Sequence, residues 1–292
     1  PMFSLPDMPI ELQPLIPFLI FTGVFSALTS VAYMAAIRKG RELATRSQWS
    51  MPKLLLSCVV VVGAIGVVVP DVAGLGLRQI NQMLDAQFGL GMLLVLLAGK
   101  IFVTAYCLNT GFFGGVFGPA LFVGAATGAV VAHVAILLGL APHLSYALPV
   151  AAIAAVGGAV IGAPLTAIMI VIELTGSYAY GLSAMLCAIL CSLLTLRFFG
   201  LSYFDRQLLD RGVDLRLGQE HVELSLTPIS EIESGEFVRL EADTPLQSAR
   251  QALVSAQVTE AYVCAADDQL IGKVDIHSLA QASSLDSALD RS

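Results

Sequence analysis

The chain is built from long uncharged stretches separated by glycine- and proline-rich breaks, with few polar loops until its last third. Leu15 to Ile37 carries no charge and exceeds the roughly 20 apolar residues that span a bilayer. Leu54 to Val69 is apolar but shorter, closed by Pro70, and predicts a helix that crosses only partly. "DVAGLGLRQINQMLD" then reads as a loop and a small amphipathic helix. Phe88 to Leu108 predicts a further span, in which Lys100 would snorkel or pair within a bundle. Phe117 to Leu140 resumes the apolar run and "APHLSY" breaks it. Ala147 to Val156 opens another run, which stops at "GGAVIGAP", and Pro164–Leu174 and Tyr180–Phe199 complete the set.

Several of these segments are too short for a full crossing, and glycine or proline separates them where a simple bundle would have polar loops. In hydrocarbon an unpaired peptide group costs several kcal/mol, so non-helical backbone persists there only inside protein or beside a watery cavity. Broken helices at membrane depth therefore point to a permeation site.

After Gly200 the pattern changes. "LSYFDRQLLDRGVDL" predicts an amphipathic helix. From Glu236 the text predicts a soluble β-α-β-β-α unit: strands over Phe237–Leu240, Ala261–Cys264 and Leu270–Val274, a helix starting at Thr244 and Pro245, and a turn at "AADDQ". We therefore divide the chain into a membrane domain (1–200), a helix and linker (201–218) and a small tail domain (219–292).

Composition sharpens this division. The chain of 292 residues is 57% hydrophobic and 13% charged, with mean hydropathy +0.82, which excludes a soluble globular protein. From Ile101 to Leu196 the only charged residue is Glu173. The part up to Gly200 has eight basic and six acidic residues, net +2, and the part after it seven and sixteen, net −9. Neither value suggests nucleic-acid binding. Arg38, Lys39, Arg41 and Arg46 follow the first span directly, placing that end in the cytoplasm and the Pro1 end outside. The opening "PMFSLPDMPIELQPL" has no signal-peptide pattern and predicts a fragment of a longer protein. Five cysteines lie in apolar surroundings without metal-ligand spacing and read as small buried hydrophobes. His133 and His143 lack partners at metal spacing and read as packing or headgroup-level residues. We find no GxSxG, HExxH or aspartate pair, so an intramembrane enzyme is not expected, nor is a cofactor.

The stretch "NTGFFGGVFGPALFVG", Asn109 to Gly124, carries the candidate chemistry. A helix beginning near Val116 presents unpaired N–H groups and the positive end of its dipole, which suits an anion. Gly114 and Gly115 let the backbone approach a ligand, and Pro119 fits a first helical turn, where its missing N–H loses no bond. Partial charges also release an anion more readily than a lysine or arginine does. The plainer alternative is a tight loop or small-residue packing patch.

"GGVFGPALFVG" resembles the GxFxP signature of the CLC family of chloride channels and proton-coupled chloride transporters, with Gly115, Phe117 and Pro119 at its fixed positions. "AAVGGAVIGAPLTAIMIVIELTGSY" resembles the family's next characteristic region, and "GLSYFDRQLLDRG" the last membrane-associated helix, which supplies a tyrosine to the pore. The resemblance covers Leu15 to Ala282. It implies an all-α polytopic membrane protein, the second of two inverted repeats with broken and unequal helices, followed by a small α/β CBS-like cytoplasmic domain that is truncated. It further implies a homodimer in a bilayer, the plasma or inner membrane, with one anion pathway per subunit. The anion site it implies comprises Gly115, Val116, Phe117, Gly118 and Tyr203, with the Val116 and Phe117 amides and the Tyr203 hydroxyl on chloride. The family's GSGIP and GREGP loops and its proton glutamates belong to the other half and are not in this sequence.

The same resemblance weighs the remaining residues. Glu173 is expected to cap a loop or hydrogen-bond at an interior helix end, since the family's proton carboxylates lie elsewhere. In the nucleotide pattern G-x-V-[ST]-x-x-D of CBS modules, "GKVDIHSL" has Asp275 in place of the hydroxyl and Ser278 in place of the acid. A carboxylate facing phosphate is repulsive, so the tail is expected to serve structure or dimerisation. Pro164–Leu174 and Tyr180–Leu196 are the expected dimer face. The competing readings are a different broken-helix carrier, which needs inward-facing acids that this part lacks, and a non-transporting membrane anchor for a CBS sensor.

Overall fold

The computed structural model describes residues 11–213, 237–265 and 269–279. The chain separates into two compact units, Pro1–Gly218 and Gln219–Ser292.

The first unit is helical among its described residues. α1 (Leu12–Arg46) runs well past Ile37, because the basic stretch after the apolar run has no proline and its one glycine, Gly40, stays helical where a side chain would meet Asn109. Its buried residues Leu15, Leu19, Thr22, Ser26, Ser30, Tyr33 and Ile37 recur every three or four positions and form one stripe. α2 (Met51–Val68) begins with Pro52 in its first turn, and its 18 residues rise about 27 Å, close to the hydrocarbon thickness. The expectation of a helix that crosses only partly was therefore too short. A short 3-10 turn, Pro70–Val72, and α3 (Leu77–Leu84), with Ile80, Met83 and Leu84 buried, lead into α4 (Leu90–Asn109). α5 (Phe117–Leu137) follows, then the single turn α6 (Pro142–Ser145) at "APHLSY".

α7 (Ala147–Ile161) continues through the glycine pair that the sequence suggests as its stop. Gly157 and Gly158 stay helical since helix packing needs their missing side chains: a Cβ on Gly158 would meet the Pro164 Cα at 2.9 Å. The break falls at Gly162, whose φ of 84° is open to glycine but strained for other residues. α8 (Pro164–Thr175), α9 (Tyr178–Phe199) and the short α10 (Tyr203–Leu209) complete the unit. Among the described residues six helical stretches are long and apolar enough to cross a membrane, and α8 is a shorter apolar helix.

α5, α7, α9 and α1 form the packed centre. Close approach depends on small residues, because lipid removes the hydrophobic drive between helices. A Cβ added at Gly124 or Gly128 of α5 would lie 2.6 Å from the Ala152 carbonyl oxygen or 2.4 Å from the Pro149 Cα of α7. Between α1 and α9 the Cys187 thiol donates to the Leu19 carbonyl at 3.1 Å, and Ser30 Oγ lies 3.7 Å from Cys191 Sγ.

The second unit holds β1 (Val238–Glu241), α11 (Leu246–Ser255), β2 (Glu260–Cys264) and β3 (Leu270–Asp275). The sheet order is β1-β2-β3, with β1 parallel to β2 and β3 antiparallel to it. Ala249 and Leu253 of α11 bury against Leu240, Ala261 and Leu279. Residues 276–279 are helical; the residues after 279, where the last helix was expected to run on, and the centre of the "AADDQ" turn lie outside the described residues.

Candidate functional site

α5 starts after a run that cannot extend α4: Thr110 closes α4, Gly111 has φ 99°, and residues 112–115 are non-helical. Val116 is the N-cap residue of α5, with φ −84° and ψ −20°, and no side chain caps the helix. The first bond of the new helix runs from the Ala120 N–H to the Val116 carbonyl, at 3.1 Å. The N–H groups of Val116, Phe117 and Gly118 have no hydrogen-bond partner among the described residues. Pro119 brings no further donor. A Cβ on Gly115 would meet nothing within 4 Å, so the backbone here lies open to a small ligand. Free donors, an aligned helix dipole and open space are what an anion needs at a helix start.

Tyr203 is the first residue of α10. Ser202 caps that helix, its hydroxyl accepting from the Asp205 N–H at 3.2 Å and donating to Asp205 Oδ2 at 2.7 Å. A Cβ on Gly162 would sit 2.8 Å from Ser202, so the break between α7 and α8 gives room for the start of α10. Tyr203 is half-buried against the cluster of Val116, Tyr33, Met34, Ile37, Ala105, Ala120, Val123, Val156 and Val160. Two of the five expected site residues, 87 positions apart in sequence, thus share one cluster (Val116 and Tyr203). Gly115, Phe117 and Gly118 flank Val116 on the same segment.

Tyr203 also lines a cavity of about 160 Å³ whose walls include Arg38, Arg41, Arg206, Asn109 and Asp210. Arg41 lies 3.6 Å from Asp210, an exposed pair. Arg38 is likewise paired with Glu42 at 3.5 Å, so three guanidinium groups stand against two carboxylates and the surroundings of the cavity stay net positive, which raises the local concentration of anions. Sequence reading used Arg38 and Arg41 only for orientation; their place beside Tyr203 depends on α1 meeting α10, which no local pattern reports.

A second residue missed in the sequence is Tyr33, fully buried on α1, whose hydroxyl donates to the Val116 carbonyl at 3.0 Å. Its position on the buried stripe of α1 was the available signal. Asn109 acts similarly at the end of α4, donating to the Ile37 carbonyl at 2.8 Å.

Other expectations change. Glu173 is exposed on α8 and makes no side-chain hydrogen bond or ion pair among the described residues; its place on the outer face of the helix overturns the interior capping role. Lys100 does not snorkel; it finds its partners inside the bundle, and they are carbonyls. It is buried, donates to the Val72 and Gly74 carbonyls at 3.0 and 2.6 Å, and sits 4.6 Å from the Phe122 ring centroid. Carbonyl dipoles and an aromatic face hold the ammonium in place of a carboxylate. His133 Nδ1 lies 3.0 Å from the Ala129 carbonyl within its own helix, and His143 is exposed. Among the described residues no three His, Cys, Asp or Glu side chains group as metal ligands.

In the tail unit Asp275 Oδ1 accepts from the Ser278 N–H at 2.7 Å, capping the helix that starts at Ile276. That bond holds its carboxyl below the ordinary range.

A family model described as the voltage gated chloride channel matches residues 1–196. The chain belongs to the voltage-gated chloride channel, or CLC, family. It is an integral membrane protein with CLC-type relatives. It is 35% identical over 113 residues to the H(+)/Cl(-) exchange transporter ClcA of Vibrio cholerae, covering 38% of this chain and 24% of that protein. Its fold resembles that of a slow cyanobacterial Cl-/H+ antiporter, with TM-score 0.62 and 21% identity over 72% of this chain and 50% of that one. A eukaryotic CLC transporter matches with TM-score 0.60 and 17% identity, over 96% of this chain and 51% of that one. The chain thus spans about half the length of these CLC structures, and the structural likenesses speak to fold alone.

Proposed function

We propose that this chain forms half of a chloride transporter, with the start of α5 as part of the anion site and Tyr203 closing that site on the cytoplasmic side. The observation that carries the reading is the set of unpaired N–H groups at Val116, Phe117 and Gly118, beside a buried cluster that also holds Tyr203. Peptide dipoles replace part of the anion's water, and the absence of a lysine or arginine between Ile101 and Leu196 keeps binding weak enough for release. The guanidinium-lined cavity next to Tyr203 then serves as the approach from the basic end of α1. Exchange with protons is the form of transport we assign, since the matched relative is named an H(+)/Cl(-) exchange transporter. No cofactor or covalent step enters this reading.

The finer assignments belong with it. We place the tail in the cytoplasm and the protein in the plasma or inner membrane, and we read the parallel β1-β2 pair, α11 and β3 as a CBS-like unit of structural or dimer-interface role. Asp275 supports that choice, because its carboxylate is already engaged as a helix cap. For the homodimer we assign α8 and α9, where Leu165, Met169, Leu182 and Leu193 are exposed and apolar. Cross-linking that finds only monomers in mild detergent would overturn the dimer.

Chloride efflux from liposomes holding the full-length parent protein, with external pH recorded, tests the transport reading. Chloride movement coupled to opposing proton movement is expected. Chloride without protons would make it a channel, and no flux from folded protein would leave the membrane anchor for a CBS sensor. Gly115→Val separates these further. The site is open, so stability should stay within about 0.5 kcal/mol of the parent's. Blocking the backbone should still cut chloride flux by about tenfold or more, as loss of a preorganised donor site does.

A further inference from the structure

Tyr33 has no place in the proposed anion contacts, yet its hydroxyl reaches a carbonyl, that of Val116, whose peptide N–H belongs to the site. The Val116 carbonyl and the Phe117 N–H belong to the same peptide group. That carbonyl accepts two bonds, from the Ala120 N–H at 3.1 Å and from the Tyr33 hydroxyl at 3.0 Å. The first is the ordinary opening bond of α5. The second comes from another helix, separated by 83 residues.

Two physical effects follow. A donor on the carbonyl oxygen draws electron density through the amide and strengthens its N–H as a donor, the cooperative polarisation seen in hydrogen-bonded chains. It also fixes the peptide plane. The residues before α5 are non-helical, no side chain caps the helix, and Gly114 and Gly115 leave the preceding backbone free to swing. A first-turn peptide tied only by its helix bond can tilt; one tied also to α1 cannot. Tyr33 is itself held firmly, fully buried among Val116, Ala120, Val156 and Val160. Packing alone would be satisfied by phenylalanine at this position; the hydroxyl has two polar neighbours, the Val116 carbonyl to which it donates and the Thr104 side chain.

We propose that Tyr33 is a positioning residue of the anion site: by donating to the Val116 carbonyl it orients and polarises the Phe117 N–H for chloride. This rests on the anion reading of the α5 start given above. Tyr33 does not touch the anion; it acts through the peptide.

The test uses the full-length parent protein in chloride-free detergent solution, titrated with sodium chloride in a calorimeter, with thermal stability measured on the same samples. Tyr33→Phe should weaken chloride binding about three- to tenfold, the worth of one ordinary hydrogen bond, while the chloride-free melting temperature stays close to the parent's. Leu19→Met, a volume-conserving change on the same helix but in the other buried cluster, should leave the chloride affinity unchanged. Tyr33→Phe with parent-like affinity overturns the proposal. So does an equal loss in Leu19→Met, which would make the effect general to the packing of α1. If the folded parent itself binds no chloride, the anion reading falls and this inference with it; that result differs from a failure confined to Tyr33→Phe.

Discussion

α2 and α7 are both apolar helices of 18 and 15 residues, yet they lie at opposite extremes of burial. The apolar stretch containing α7 is 89% buried within its unit and α2 only 6%. Hydropathy does not separate them. What differs is where their small residues find partners. Gly63 and Gly66 of α2 would meet nothing on gaining a Cβ, whereas Gly124 and Gly128 of α5 press against the backbone of α7. In an apolar solvent helices associate by close fit, so the central position goes to the Ala/Gly-rich helix and the Val/Leu-rich one is left to face an apolar surrounding. A central helix that is broken can hold a site, because its free peptide groups are then screened from lipid.

The sharpest way to break this comparison is one substitution in both places. Gly128→Val puts side-chain carbon within 2.4 Å of the Pro149 Cα, backbone that has no room to yield, and should destabilise the protein by about 3 kcal/mol or more, read as thermal unfolding in detergent. Gly63→Val on α2 should shift stability by less than about 0.5 kcal/mol in the same assay. Equal effects at both would show that α2 is packed as tightly as α7.

A smaller effect is expected at α4, which lies between these extremes. Lys100→Met keeps the apolar stem of the side chain but leaves the Val72 and Gly74 carbonyls without their donor. The loss should be about 2 kcal/mol, from two buried acceptors left short of a partner. A neutral outcome in thermal unfolding would mean that water or backbone rearrangement takes the place of the ammonium.

The smallest effect belongs to the exposed tail. The Asp275 carboxyl is depressed by the Ser278 N–H, so its contribution is present above the ordinary carboxylate pKa and fades as pH falls through the lower value of the folded state. Acidification into that range should loosen the tail unit before the membrane unit responds, followed by circular dichroism or hydrogen exchange. Asp275→Asn, which still caps helices, should remove most of this pH dependence.

The two extremes also show how far the pattern of residues can be read. Runs such as Phe117 onward and Tyr180–Phe199 gave helices whose observed bounds differ by a few residues, because length and apolar character act locally. The stop assigned near Val156 failed, since Gly157 and Gly158 looked like breakers although they serve close packing. Glu173 was misplaced for a related reason: a lone charge in an apolar segment does not say which face of the helix bears it, and here it is the outer one.

By itself the sequence determined that this is a membrane protein with a separate acidic tail and that its helices are unequal and interrupted, and it offered a helix start near Val116 as one of two readings of that stretch. Those properties follow from composition, glycine and proline placement and the rule that each peptide group needs a partner. Only the tertiary structure decided that Tyr203 joins the cluster around that helix start, that Arg38 and Arg41 stand beside it, that Tyr33 holds the Val116 carbonyl and that Lys100 rests on carbonyls and a phenyl ring. Each of these is a meeting between helices distant in sequence, set by which small residues allow which backbones to approach, and that is a property of the packed whole.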